Sequence, residues 1–359
     1  MSKFYDGTKL LSLKDINGKV PEIFMCTTNR SGGKTTYFNR LLVNRYLKKG
    51  EKFCLIYRYK DELDGVSEKF FGEIKSLFFS KYSMMSIPKG KGLYHELYIT
   101  KYDKDLSPDE QLYKCCGYAV ALNGADKLKK YSHFFSDVIS MMFDEFQSET
   151  DTYCPKEVRK FKSLHTSIAR GGGIQVRYVP VYMCANPVTL LNPYYTEMGI
   201  ANRLHDDTVY LRGDGFVLEQ GFNESAAAAQ MESGFNRAFA GGDASYRDYI
   251  TQGVYLNDNK AFIEKPAGYG RYMCTIRYMG KDYGIRVYDS EGVVYCDNSA
   301  DLSCKLRLAV TTDDHNINFV MLQGNRILID NMRTYFNNGC FRFRNLECKA
   351  AIMSMLAYR

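Results

Sequence analysis

Tryptophan is absent from this 359-residue chain, although tyrosine (29) and phenylalanine (22) are abundant. That absence by itself excludes no function. The shortage of long apolar runs is more informative: none approaches 18 residues, which excludes a membrane-spanning helix on length. The opening stretch, MSKFYDGTKLLSLKDINGK, has no long apolar core either, so neither a signal peptide nor a span is expected. The 11 cysteines lack paired short spacings, and the one tight pair, Cys115-Cys116, cannot form a C-x-x-C knuckle. Structural zinc is therefore not expected, and the thiols read as free in a reducing cytosol. Nor does one sign of charge dominate. Against 41 acidic residues stand 48 basic ones, for a formal charge of +7. This excess is compatible with a polyanionic partner and equally with a solvated surface of mixed sign. Internal repeats, low-complexity tracts and a second phosphate loop are all missing.

What remains is an ordinary globular composition, 45% hydrophobic and 25% charged, in a chain long enough for two domains. It is organised around residues 21–36, PEIFMCTTNRSGGKTT. The apolar run Ile23–Cys26 reads as a buried strand, the polar glycine-containing turn as a tight loop, and Lys34-Thr35-Thr36 as the start of an amphipathic helix through Tyr46. Strand, loop, Gly-Lys-Thr and helix is the layout of a phosphate-binding P-loop. Backbone N–H groups from Thr28, Asn29, Arg30, Ser31, Gly32, Gly33, Lys34, Thr35 and Thr36 would form the concavity. Lys34 would reach the β- and γ-phosphates of ATP, and the Thr35 hydroxyl would hold Mg²⁺. In the pattern GxxxxGK[ST] the first glycine falls at Thr28, so only Gly33-Lys34-Thr35 match fully. An ordinary strand-to-helix loop is the competing reading.

A second strand is expected over Lys52–Tyr59, giving a βαβ unit and hence a parallel sheet. Helical spacing follows over 66–80, then a loop from Ser83 and strands at Leu93–Thr100 and Cys116–Leu122. The run Val138–Phe143 is of buried-strand type and ends in Asp144-Glu145. At the carboxyl edge of a sheet, Asp144 could hold Mg²⁺ and Glu145 could polarise the attacking water as general base. A helix from Pro155 to about Arg170 stops at Gly171-Gly172-Gly173, and a strand over Val176–Cys184 ends at Asn186-Pro187. Asn186 either reports on the γ-phosphate or simply makes a turn. Arg170 is either a charge on the helix dipole or an arginine finger, with Arg177 as the competing finger.

Beyond about residue 205 the pattern changes. Val209–Gln220 alternates like an exposed antiparallel strand or hairpin, with Gly213 and Gly215 at its turn, and Asn223–Phe239 reads as one Ala-rich helix stopped by Gly241-Gly242. Three strand-like runs, Arg271–Tyr278, Tyr283–Tyr288 and Val293–Asp297, form a meander, and Leu346–Leu356 a closing helix. The expected division is 1–205, 206–255 as a small linker subdomain, and 256–359.

The segments TNRSGGKTT, YRYKDEL, GYAVALNGADKLKKY, MMFDEF and MCANPVTLLNPYY, in this order, resemble the large-terminase group of viral DNA-packaging ATPases. Within it they are similar to the encapsidation ATPases of small, phi29-like tailed phages. The resemblance covers residues 20–200 well and the rest in outline. It implies an ASCE-type, RecA-like ATPase domain with a mainly parallel sheet, a linker subdomain and a C-terminal α+β, RNase H-like domain. It also implies a homo-oligomeric ring of five subunits at the portal (connector) vertex of an empty procapsid in the host cytoplasm. In that frame Lys34 and Thr35 are Walker A, Asp144 and Glu145 Walker B, Asn186 the coupling position and Arg170 the finger acting in trans.

An RNase H-like nuclease needs a carboxylate within its first strand to share two metals. Here that strand, RYMCTIRY, offers Cys274, Thr275 and Arg277 and no acid, so a non-cutting, vestigial domain is expected. With 14 basic and 10 acidic residues over 260–359, it would bind a structural packaging RNA, the portal, or only solvent. Arg58 and Lys60, with Lys127, Lys129 and Lys130, are candidates for gripping the double-stranded DNA backbone; a solvated lysine turn is the plainer alternative. A terminase with an active nuclease, a helicase-like ATPase and a nucleotide-independent binding module are the competing functions.

Overall fold

The computed structural model describes residues 4–107, 111–150, 152–170, 175–201, 203–204, 208–239 and 262–357. The expected helix stops at Gly171–Gly173 and Gly241-Gly242 lie outside these residues. The chain forms two compact units, Met1–Leu256 and Asn257–Arg359.

The first unit is built on a nine-stranded sheet. Its strands are β1 (Ile23–Thr28), β2 (Lys52–Tyr57), β3 (Tyr82–Lys89), β4 (Tyr94–Lys101), β5 (Lys114–Ala121), β6 (Val138–Asp144), β7 (Val181–Ala185), β8 (Tyr210–Gly213) and β9 (Phe216–Gly221). Their spatial order is β3-β4-β5-β2-β6-β7-β1-β9-β8. All pairs from β5 to β9 are parallel, and the antiparallel pairs are at the two margins. Parallel strands covered on both faces carry continuous apolar runs, which is why Phe24–Cys26, Phe53–Ile56 and Met141–Phe143 are all buried. β7 lies between the phosphate-loop strand β1 and the acid-bearing strand β6, the spacing an ASCE-type sheet requires. The helix Lys34–Lys49 packs Phe38, Leu42 and Val43 into the core, where the Phe38 ring stacks on Tyr182 of β7.

Two local expectations change. The loop expected from Ser83 is strand β3, and its Pro88 is tolerated because β3 is the sheet edge. The Ala-rich helix is two helices, Glu224–Glu232 and Gly234–Phe239, broken where Ser233 adopts an extended conformation.

The hairpin assigned in sequence to a linker subdomain is instead part of the main sheet. β9 lies between β1 and β8, so Phe216–Leu218 are buried, and the compact units divide after Leu256, beside the expected start of the C-terminal domain at 256.

The second unit holds a six-stranded sheet. The meander β10 (Arg271–Tyr278), β11 (Lys281–Tyr288) and β12 (Val293–Asp297) is antiparallel. β13 (Arg307–Ala309) and β14 (Val320–Met321) add in parallel beside β10, and β15 (Phe341–Phe343) adds beside β12. Running from β12 to β14, this is a 3-2-1-4-5 order, that of RNase H-like sheets. The helices Arg326–Asn337 and Leu346–Leu356 complete its core through Ile329, Met332, Ile352 and Met355.

Candidate nucleotide site

The phosphate loop is formed where β1 emerges from the sheet and reverses into the helix Lys34–Lys49. Gly33, just before the helix, has φ +89, a conformation a side chain would strain. Ser31 also takes a positive φ, 62. Alternation of this kind turns successive N–H groups toward one side, as an anion nest requires.

Thr28, standing where the pattern wants glycine, sets its hydroxyl against Gly32 of the loop and its methyl toward β9. It is buried opposite Gly221 of β9, and a Cβ on Gly221 would come within 2.8 Å of the Thr28 Cγ2. The absence of a side chain at 221 leaves room for the Thr28 methyl.

Four expected residues converge in two contacts, Lys34 with Asn186 and Thr35 with Asp144. The Lys34 ammonium, almost fully buried, donates to the Asn186 Oδ1 at 2.7 Å and to the Thr28 carbonyl at 3.4 Å. Asn186 follows β7, the strand beside β1, so its place is dictated by the parallel pairing. Asp144, at the end of β6, accepts a hydrogen bond from Thr35. Desolvation pushes its carboxyl up to about 6, against the opposing pull of the Lys34 charge and the Thr35 hydrogen bond. Glu145 is exposed, with φ 56, and its N–H donates to the Asp144 Oδ1 at 3.1 Å.

Other residues of the loop have different tasks. The Asn29 side chain exchanges two hydrogen bonds with the backbone of Asn223, at 2.8 and 3.1 Å, and Ser31 accepts one from Gln230 at 2.9 Å. The loop is therefore tied to the helix Glu224–Glu232. Thr36 donates to Glu73 at 2.8 Å and faces a neighbouring helix.

Arg58 is not available to DNA. It is buried, its Nε donates to both carboxylate oxygens of Glu157 (3.1 and 2.9 Å), and its Nη2 donates to the carbonyls of Glu145 (3.2 Å) and Phe146 (3.0 Å). An ion pair this enclosed fixes the turn after Asp144. Lys60, Lys127, Lys129 and Lys130 are exposed. They follow the carboxyl ends of the neighbouring strands β2 and β5, so they share the sheet edge that carries the phosphate loop. Lys60 donates to the Lys91 carbonyl at 3.2 Å, and Lys129 lies 3.8 Å from Asp126.

The two finger candidates separate clearly. Arg177 donates to the carbonyls of Val138 (3.0 Å) and Ile168 (2.7 Å), closing the end of the helix Glu157–Ile168. Arg170 is exposed and makes no hydrogen bond or ion pair among the described residues. The helix leading to it starts beside Arg58 at the carboxyl edge, while near its far end His165 meets the carbonyl of Val179, ahead of β7. Over its 12 residues the helix advances about 18 Å. Arg170 thus stands at the opposite sheet edge from its own phosphate loop.

Two features escaped the sequence reading. Glu149, five residues after Asp144, accepts from the Asn186 Nδ2 at 3.1 Å and forms an ion pair with Arg30. A cavity of about 880 Å³ opens beside Gly33–Thr36, walled by Phe4, Tyr37, Arg40 and Phe78, with the Arg40 guanidinium 4.2 Å from the Phe78 ring centre. Neither has a local signature, because each depends on segments distant in the chain.

Known proteins provide an independent comparison. The DNA packaging protein of Bacillus phage phi29 is 26% identical over 349 residues, covering 96% of this chain and 94% of its own. That of Bacillus phage B103 is 24% identical over 328 residues, covering 88% and 90%. In fold, the chain is similar to a subunit of the bacteriophage phi29 genome packaging motor assembly (TM-score 0.66, 24% identity, 99% and 98% covered). It is also similar to the phi28 gp11 DNA packaging motor (TM-score 0.58, 16% identity, 100% and 99% covered). With the family model for the podovirus DNA encapsidation protein matching residues 1–358, the chain belongs to the podovirus DNA encapsidation protein (Gp16) family.

Proposed function

We propose that this packaging ATPase hydrolyses ATP at Lys34, Thr35, Asp144 and Glu145 and uses the energy to move double-stranded DNA into an empty capsid. The observation that carries the reading is the convergence of Lys34 on Asn186 and of Thr35 on Asp144, from three adjacent parallel strands. Phosphates would rest on the N–H groups of the loop and the helix N-terminus, with Lys34 against the terminal groups. Glu145 is exposed at this edge, where it can accept a proton from the attacking water. Asn186, bonded to Lys34, is placed to register the loss of the γ-phosphate.

A hydroxyl and a carboxylate in mutual hydrogen-bond contact are a hard-oxygen donor pair, which fits Mg²⁺. Thr35 and Asp144 would hold the ion; once bound, it neutralises charge developing on the phosphate oxygens.

Arg170 serves a neighbouring subunit's site in a homo-oligomeric ring, since it stands at the opposite sheet edge from its own phosphate loop. Such a ring, of five subunits, would dock on the portal, with a structural packaging RNA as a further partner, in the host cytoplasm. Lys60 and Lys127–Lys130 would contact DNA phosphates without reading bases. The C-terminal unit would not cut DNA. Thr275 at the centre of β10 is an uncharged hydroxyl, and neighbouring acids are paired: Asp282 with Arg277, Asp297 with Arg286 and Glu347 with Lys281.

The test is Glu145→Gln. The variant should bind ATPγS like wild type yet hydrolyse ATP about 10²–10⁴-fold more slowly in the presence of procapsids and DNA. Hydrolysis near the wild-type rate would refute the assignment.

A further inference from the structure

We infer that Glu149 is an internal anion that competes with a terminal phosphate for the cationic groups of the phosphate loop and thereby sets how strongly the motor prefers triphosphate over diphosphate. The inference rests on the nucleotide-site reading above. Its starting point is that both cations of the phosphate loop lead to the same carboxylate. Arg30 pairs with Glu149 directly. Lys34 reaches it through Asn186, whose Oδ1 accepts from the ammonium at 2.7 Å and whose Nδ2 donates to the Glu149 Oε1 at 3.1 Å.

The position of Glu149 is built rather than incidental. Two residues earlier, the buried Gln147 accepts through its Oε1 from the N–H groups of Val188 and Thr189, both at 3.0 Å. This pins the segment after β6 to the segment after β7, so Glu149 is held beside Asn186. Both partners of the Arg30 pair stay partly solvated, with side-chain exposures of 40% and 35%, so the contact can open without stranding a buried charge.

The consequence for ligands follows from which groups are engaged. The inner phosphates of a nucleotide rest on the backbone N–H groups of the loop and on Lys34, which Glu149 reaches through Asn186. A terminal phosphate needs, besides that ammonium, the amide of Asn186 and the guanidinium of Arg30, the two groups that Glu149 contacts directly. A triphosphate must therefore displace or repel this carboxylate, and a diphosphate need not. Glu149 acts through Arg30 and Asn186; it is a positioning and selectivity residue, not a catalytic one. When the γ-phosphate leaves as product, the carboxylate is on hand to take back Arg30, which favours an emptied site over rebinding of phosphate.

The experiment is equilibrium titration of the full chain with ATPγS and with ADP, for wild type, Glu149→Gln and Glu149→Ala. Both variants should bind ATPγS about tenfold more tightly, the order of effect of one unit charge close to the ligand in a half-exposed site. ADP affinity should move less than about twofold. Added KCl should shrink the gain, because solvated charges are screened. In Arg30→Ala the further Glu149→Gln change should bring only a small gain, since the competition for the guanidinium is gone. Unchanged or weaker ATPγS binding in both Glu149 variants overturns the inference while leaving the nucleotide site in place. Equal tightening of ATPγS and ADP also overturns it. Failure of the wild-type chain itself to bind ATPγS would instead remove the nucleotide-site reading, and this inference with it.

Discussion

Replacing Asp144 by Asn should make the nucleotide-free protein more stable while abolishing its activity. The carboxylate is lifted to about 6 from an ordinary 3.8, chiefly by desolvation that the Lys34 charge does not fully offset. Because the folded state holds this proton more tightly than the unfolded chain, the group favours folding most below pH 3.8. That contribution is lost as pH rises through about 6, where the folded protein must carry the charge at a cost. The full difference corresponds to roughly 3 kcal/mol at neutral pH. Some of the side chain still meets solvent, so we take about 1–2 kcal/mol as the expected gain. Asn preserves the shape and can still accept from the Glu145 N–H and meet the Thr35 hydroxyl, so the substitution removes charge and little else. For a unit of this size the gain should raise Tm by about 2–8 °C at pH 7.5. Thermal unfolding of both proteins, without nucleotide or Mg²⁺, at pH 7.5 and pH 4.5 is the assay. The gain should be full at the first pH and about a third as large at the second, which lies inside the window from 3.8 to about 6. A variant less stable than wild type at pH 7.5, or equally stabilised at both pH values, would refute the reasoning.

Two further outcomes are expected. Arg58→Ala leaves Glu157 buried without its charge partner and should cost about 3–5 kcal/mol in urea unfolding, with the Arg58→Ala/Glu157→Ala pair costing less than the sum of the single changes. Wild-type stability combined with weakened DNA binding in Arg58→Ala would restore its role as a DNA contact. Arg170→Ala should bind ATPγS normally as a free chain but lose turnover on procapsids. Mixed with Glu145→Gln subunits it should then show more activity than either protein alone, because each provides what the other lacks; no gain on mixing would rule out action in trans.

Much of the site was legible because its chemistry is tied to short, local patterns. An apolar run that ends in Asp-Glu places Asp144 at a strand end wherever the strand lies in the sheet, and Gly-Lys-Thr after a strand likewise places Lys34. The meander of the second unit was visible for the same reason: its strands are joined by short turns, and Met279 and Gly280 both take positive φ at the first of them. Which parallel strand lies beside which left no such trace. The alternation of 209–220 predicts a hairpin correctly, but nothing in those residues says that β9 will lie beside β1. Arg58 was misplaced on similar grounds. A basic residue after an apolar run looks exposed until Glu157, 99 residues away, is brought against it.

The missing first glycine of the phosphate loop shows why such errors cluster at contacts between distant segments. Judged within residues 28–35, Thr28 is a defect, since its side chain ought to crowd the turn. In the sheet, the register of β1 and β9 puts Thr28 opposite Gly221, and the Thr28 methyl takes up the space that a side chain at 221 would need. The loop keeps its positive-φ residues at Ser31 and Gly33 and its lysine within hydrogen-bond reach of Asn186. Here the residue at 28 need not be glycine, because the residues against it at 221 and 32 are.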